Sequence, residues 1–218
     1  MASAVDAPPY RYVRFTIANP NQIRLFRLEP AQPGSDYISG TLDIYDLRQW
    51  PTYECLSYAW GTADKNASIF IENCQLKITE SLLLALASLR LPHASRKLWI
   101  DQICIHQNSI GERNHQIRLM GRIYQQAERD LLWLGPTSTS NSVAFKWIQN
   151  TYNDWESALR KDRTIPELGY SANLQHAMDL SPPSLEQRLA LEETFQKCPA
   201  WHRMWYECLV QASRSALI

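Results

Sequence analysis

Glycine is scarce in this chain, seven in 218 residues. No glycine-rich loop that cradles phosphate can be picked out, and neither G-x-S-x-G nor H-E-x-x-H occurs. A glycine-loop nucleotide cradle, a nucleophile-elbow hydrolase and a zincin protease are therefore not expected. No apolar run approaches the roughly 18 residues that cross a bilayer. The longest apolar stretch, residues 82–89, is amphipathic and suits a core. The N-terminus, MASAVDAPPY, has neither a basic region nor an apolar core, so no secretory signal is expected. Neither sign of charge is in excess: 22 basic residues face 22 acidic ones. That argues against a nucleic-acid partner and against docking on an anionic membrane. The five cysteines, Cys55, Cys74, Cys104, Cys198 and Cys208, are odd in number and scattered, with no C-x-x-C pair. They support neither a disulfide framework nor a metal site, and the expectation is reduced thiols in a cytoplasmic protein.

What the chain does have is a core's worth of apolar side chains, 45% hydrophobic against 20% charged, with eight Trp and ten Tyr. Residues 1–19 read as an N-terminal tail, with 1–9 frayed, and 20–215 as a single domain. Residues 23–28 (IRLFRL) and 38–47 (ISGTLDIYDL) alternate like strands and predict an antiparallel pair. Residues 53–60 (YECLSYAW) form a further strand ended by Gly61. A small hairpin turns around Glu72, Asn73 and Cys74. Thr79 caps a helix running to Arg90, and Leu98, Trp99 and Ile100 form a strand that enters a polar loop at Asp101. Ser109 and Glu112 have the spacing of a capping box opening a helix to about residue 128. Residues 130–134 (DLLWL) form another strand, closed by Gly135 and Pro136. The order over 53–134 is βαβαβ with an inserted hairpin, which implies a parallel sheet with right-handed crossovers. The remainder is helical: 142–160 with Ser140 or Asn141 as cap, a long loop over 164–183, 184–197 capped by Ser184 with Gln187, and 201–212.

In such a sheet Trp60, Gly61, Asp101, Gln102, Gly135 and Pro136 share the carboxyl edge, where open α/β sheets place ligands. Asp101, Gln107, Glu112 and Arg113 are expected to line a polar cleft there, with Tyr58 and Trp60 as aromatic walls. Gln116 shares a helix face with Glu112. Plainer roles stay open beside these: Glu112 as a capping-box carboxylate, Asp101 as an acceptor of backbone N–H groups, Arg113 as a surface side chain, and the tryptophans as core. Cys104 lies two residues from His106. In an extended segment their Cα atoms are roughly 6–7 Å apart, but no third group is evident to orient the imidazole, so a Cys–His hydrolase is disfavoured.

Three segments together resemble the fungal heterokaryon incompatibility (HET) domain. Residues 53–61 (YECLSYAWG) are similar to the family's Y-x-x-L-S-Y-x-W-G. Residues 98–107 (LWIDQICIHQ), followed by Glu112, Arg113, Gln116, Met120, Ile123, Tyr124 and Ala127, resemble L-W-I-D-x-x-C-I-x-Q…E-R-x-x-Q…M…I-Y-x-x-A. Trp133, Leu134 and Gly135 make the third. The C-terminal W-x-x-R-x-W-x-x-Q-E segment of the family is matched at Arg203 and Trp205, while its Gln-Glu positions fall on Cys208 and Leu209. The resemblance implies a role in non-self recognition with cell death as output, through protein partners or self-association. HET domains have been likened to TIR domains. This implies a TIR/flavodoxin-like fold: a central mostly parallel sheet flanked by helices, here with an N-terminal antiparallel strand pair and a helical C-terminal part. It also implies an alternative activity, cleavage of NAD as substrate, with Glu112 or Glu207 as the carboxylate and no resident cofactor.

Overall fold

A computed structural model describes residues 7–15, 19–31, 37–62, 64–136, 138–161 and 182–196. The chain divides into two compact units at Gly135–Pro136, inside the span read as one domain. Gly135 takes a φ of 112° there, and the proline after it cannot donate to a ladder.

The first unit is built on a seven-stranded mixed sheet in the order β5-β4-β2-β1-β6-β3-β7. The strands are β1 (Gln22–Leu28), β2 (Ser39–Asp46), β3 (Glu54–Tyr58), β4 (Ala67–Ile71), β5 (Cys74–Ile78), β6 (Arg96–Trp99) and β7 (Arg129–Trp133). Strand β1 pairs antiparallel with β2 along its whole length, from Gln22 opposite Asp46 to Leu28 opposite Gly40, as the alternation predicts. Gly40 is required: a Cβ there would meet Arg27 O at 2.2 Å and the Phe26 ring at 2.5 Å. Strands β6, β3 and β7 are the expected parallel centre. Parallel pairing is not general, however, because β1 meets β6 antiparallel and β4 meets β5 antiparallel. The β4–β5 hairpin turns at Glu72 and Asn73 with φ of 49° and 66°, the double left-handed geometry of a type I′ turn.

Helix α1 (Glu80–Leu89) follows the β4–β5 hairpin and leads into β6, and α3 (Ile110–Gln126) connects β6 to β7. The β6–α3–β7 connection is a parallel crossover that passes β3, and the two helices cover opposite faces of the sheet. Side chains agree. Tyr53 Oη donates to Ile123 O of α3 at 2.6 Å, and Ser57 Oγ lies 3.1 Å from Tyr124 Oη. Glu54 points to the other face, where it holds Arg96, whose Nη1 donates to Leu89 O at the end of α1. Trp99, Leu98, Ile100, Leu82 and Ile123 are fully buried between these layers, and each such side chain stabilises by about 1.5–3 kcal/mol. Thr79 caps α1 as expected, its Oγ1 accepting from Leu82 N, and Gln102 Oε1 accepts from Thr79 N at 2.9 Å.

The polar loop expected after Ile100 is instead a helical turn, α2 (Asp101–Cys104), buried at all four residues. The apolar Ile103, Cys104 and Ile105 pull it into the core. The frayed reading of 1–9 fails at its end. Gln75 N donates to Pro8 O at 2.7 Å and Tyr10 N to Gln75 O at 2.8 Å, so this segment lies along the outer edge of β5. It then continues inward to Arg24 of β1.

The second unit contains α4 (Thr139–Lys161) and α5 (Leu185–Leu191), the latter running into a π-helical turn (Glu192–Gln196). Ser138, not Ser140 or Asn141, caps α4, accepting from Asn141 N at 3.0 Å. Asn141 Oδ1 instead accepts from Thr194 Oγ1, and Ser140 donates to Glu193 at 2.6 Å, so both tie α4 to the π-helical turn. Ser184 and Gln187 form the expected reciprocal capping box. The loop reading of 164–183 falls almost wholly outside the described residues, and the helix reading of 201–212 wholly outside them.

Candidate functional site

Strands β3 and β6 end at Tyr58 and Trp99, and the residues just beyond them meet at the carboxyl edge. Trp60 Nε1 donates to both carboxylate oxygens of Asp101 at 3.2 Å. Gly61 follows Trp60 with φ of 71°, the left-handed conformation that turns the chain away from the sheet. Gln107 Nε2 donates to Asp101 O at 2.6 Å, and Arg113 Nη1 to Gln107 O at 3.3 Å. Four of the predicted site residues, Trp60, Asp101, Gln107 and Arg113, thus converge in one chain of hydrogen bonds. Asp101 is 8% exposed, and the arrangement stitches the α2 turn to the end of β3.

Glu112 does not join that chain. Its carboxylate faces β1, where Arg24 grips it with two nitrogens, Nη1 to Oε1 at 2.6 Å and Nη2 to Oε2 at 3.1 Å. His106 N donates to Oε1 as well, at 2.7 Å. The expected capping box is half formed: Ser109 Oγ accepts from Glu112 N at 3.4 Å, while the glutamate side chain turns to the arginine instead of back to Ser109. A guanidinium fork outbids a single backbone N–H, because charge-assisted bidentate bonds are the stronger kind. The Arg24 side chain is 1% exposed and that of Glu112 12%, so this is a buried ion pair.

A roof covers it. Arg24 also donates to Cys104 O at 3.2 Å and to Val13 O. Its guanidinium lies 4.1 Å from the Phe15 ring centre and 5.0 Å from that of Tyr12. Tyr12 stacks on His106 with ring centres 4.7 Å apart, and its hydroxyl donates to Ile103 O at 3.0 Å. Burial pushes the Tyr12 phenol well above its ordinary range.

Two more predicted residues are placed differently from the expectation. Tyr58 is 2% exposed and belongs to the core, so it is no cleft wall. Gln116 is fully buried and donates to Gln22 O at 2.9 Å, which docks α3 on the start of β1. Its Oε1 has no partner among the described residues. Glu207 lies outside the described residues. Cys104 is fully buried, and that burial raises its thiol to about 12. With His106 stacked on Tyr12, the pair lacks the geometry of a nucleophile and its base.

Arg24 is the residue that sequence reasoning missed. Its signal was present, since an arginine inside the apolar run of 23–28 sits where an unpaired charge is rarely buried. Tyr12 and Phe15 gave no such signal, because their role depends on the strap crossing the sheet.

The model of the family described as heterokaryon incompatibility protein (HET) matches residues 53–207. The curated "Heterokaryon incompatibility protein 6, OR allele" of Neurospora crassa is 34% identical over 149 residues, which is 62% of this chain. The match covers only 22% of that relative's length. No solved structure matches the chain. The family match takes in β3, β6, α3 and β7 with Trp60, Asp101, Gln107, Glu112 and Arg113, and on it the chain belongs to the heterokaryon incompatibility (HET) family.

Proposed function

We propose that this chain is a HET module of fungal non-self recognition that promotes cell death by binding protein partners or copies of itself. The observation that carries this reading is the commitment of the motif carboxylates to internal bonds. Asp101 holds Trp60, and Glu112 holds Arg24 and His106 N under an aromatic roof. Such residues shape a scaffold. On the outer side of α3, meanwhile, Ile110 is 66% exposed and Ile117 52%, seven residues apart and so on one helical face. That face suits a partner. The relative's printed name, an incompatibility protein, points the same way.

The fold reading that goes with this proposal is TIR/flavodoxin-like. It draws support from the parallel centre, where the first strand of the βαβαβ unit lies between the second and third, as a flavodoxin-like winding begins. The sheet then extends past β6 through antiparallel β1, which that winding does not contain.

The alternative implied by the resemblance is cleavage of NAD. It needs a carboxylate free to face an oxocarbenium-like ribose, and the three hydrogen bonds to Glu112 leave it poorly placed for that. The test runs both ways. Expression of the chain in a fungal host is expected to be toxic, and Ile110→Asp with Ile117→Asp to abolish that toxicity while the melting temperature holds. Toxicity that survives both substitutions, with NAD consumption that Glu207→Gln abolishes, overturns the proposal in favour of the enzyme.

A further inference from the structure

At the opposite, amino edge of the parallel centre lies a cleft of about 430 Å³, within the size range of small-molecule sites. Its floor is a row formed by the first residues of three adjacent strands: Arg96 of β6, Glu54 of β3 and Arg129 of β7. Arg96 grips Glu54 with Nε and Nη2, both at 2.8 Å, and Arg129 Nε reaches Glu54 Oε1 at 2.8 Å. One carboxylate therefore faces two guanidiniums, which leaves the floor with an excess positive charge.

The three are not equally used. Arg96 is mostly buried and also donates to Leu89 O. Arg129 is 64% exposed and spends only Nε on Glu54. Its two terminal nitrogens have no partner among the described residues. The Thr52 and Ser95 hydroxyls line the same cleft, and they too have no partner among the described residues. Leu91 adds an apolar wall. Of the other charged lining residues, Lys97 sets its ammonium 4.7 Å from the Tyr45 ring centre and Glu128 is exposed at the rim, so the lining as a whole keeps one positive charge in excess.

We propose that this amino-edge cleft binds a phosphate-bearing small molecule, its phosphate oxygens accepting from the Arg129 fork and from the Ser95 and Thr52 hydroxyls. A guanidinium paired through one nitrogen with a carboxylate keeps its other two nitrogens for an oxyanion, whose geometry they match. Donors from different walls suit a tetrahedral oxyanion better than a planar one. The remaining volume, larger than one phosphate needs, takes the organic part against Leu91. The site is separate from the carboxyl-edge network and does not rest on the adaptor reading.

The experiment titrates the whole chain with inorganic phosphate and with phenyl phosphate at constant ionic strength, following amide chemical shifts. Saturable shifts at the starts of β6 and β7 are expected for both, with phenyl phosphate the tighter. Arg129→Ala is expected to weaken binding at least about tenfold, the worth of a lost charge-assisted hydrogen bond. Arg48→Ala is the control, an equally exposed arginine paired with Asp46 at the other edge, and is expected to leave binding unchanged. Arg129 lies at the surface and Glu54 keeps Arg96 in its absence, so the Arg129 variant retains the fold. Shifts that never saturate, equal loss in both variants, or acetate binding as tightly as phosphate each overturn the proposal.

Discussion

Glu112→Ala removes the counter-charge of a fully buried arginine. Arg24 would retain the Cys104 and Val13 carbonyls and two aromatic faces, but no anion. His106 N would lose its acceptor in the same step. Breaking a buried pair from one side costs about 3–5 kcal/mol, because the remaining charge stays out of water. Arg24→Met is expected to cost a similar amount, for Glu112 then faces only His106 N. The double variant Arg24→Met with Glu112→Leu removes both charges and keeps apolar bulk, so it should recover much of the loss. A coupling of roughly 2 kcal/mol or more between the sites follows. Urea unfolding read through hydrogen exchange of β1 and β6 amides measures it, since these report on the sheet and not on the second unit. The reasoning is refuted if each single variant costs under about 1 kcal/mol, the behaviour of a surface pair, or if the three effects simply add.

Further expectations concern pH and thiol chemistry. The Arg96 guanidinium holds the Glu54 carboxyl below its ordinary range, with burial opposing it. A depressed folded value stabilises fully above the unfolded carboxylate's range, and that contribution is lost as pH falls through the folded value. Glu54→Gln is therefore expected to lower stability near neutral pH and to flatten the acid limb of the melting-temperature profile; an unchanged limb contradicts the pairing. Cys104, with its thiol raised to about 12 by burial, is expected to resist iodoacetamide at pH 8 until the chain unfolds, while the half-buried Cys74 reacts. Peptide mapping after brief alkylation decides it, and equal labelling of both thiols would sink the buried-thiol assignment.

Local rules carried much of this fold. Alternation marked β1, β2 and β3, and the caps at Thr79 and Ser184 lie where side-chain chemistry puts them. The convergence of Trp60 with Asp101 was legible too, since strands that run parallel must end on one edge. What failed to show was settled by distant partners. Ser109 and Glu112 look like a capping box because the motif is local, yet the arginine that claims the carboxylate lies 88 positions away. The turn at Asp101 looks polar by composition, but Ile103 and Ile105 decide its burial. Periodicity also says nothing of neighbour order, so the place of β1 between β2 and β6 was not readable.

The placement of Arg24 also bears on where this domain begins. The family match starts at Tyr53, yet the cation that neutralises Glu112 stands on β1, well upstream. A fragment cut to the matched span would carry that glutamate with no counter-ion and would leave β6 as a raw edge, its ladder exposed to any passing strand. Such a piece is expected to aggregate where the longer chain does not. The cooperative folding unit is thus wider than the stretch that marks the family, and its first indispensable side chain precedes the recognisable motif by a whole β-hairpin.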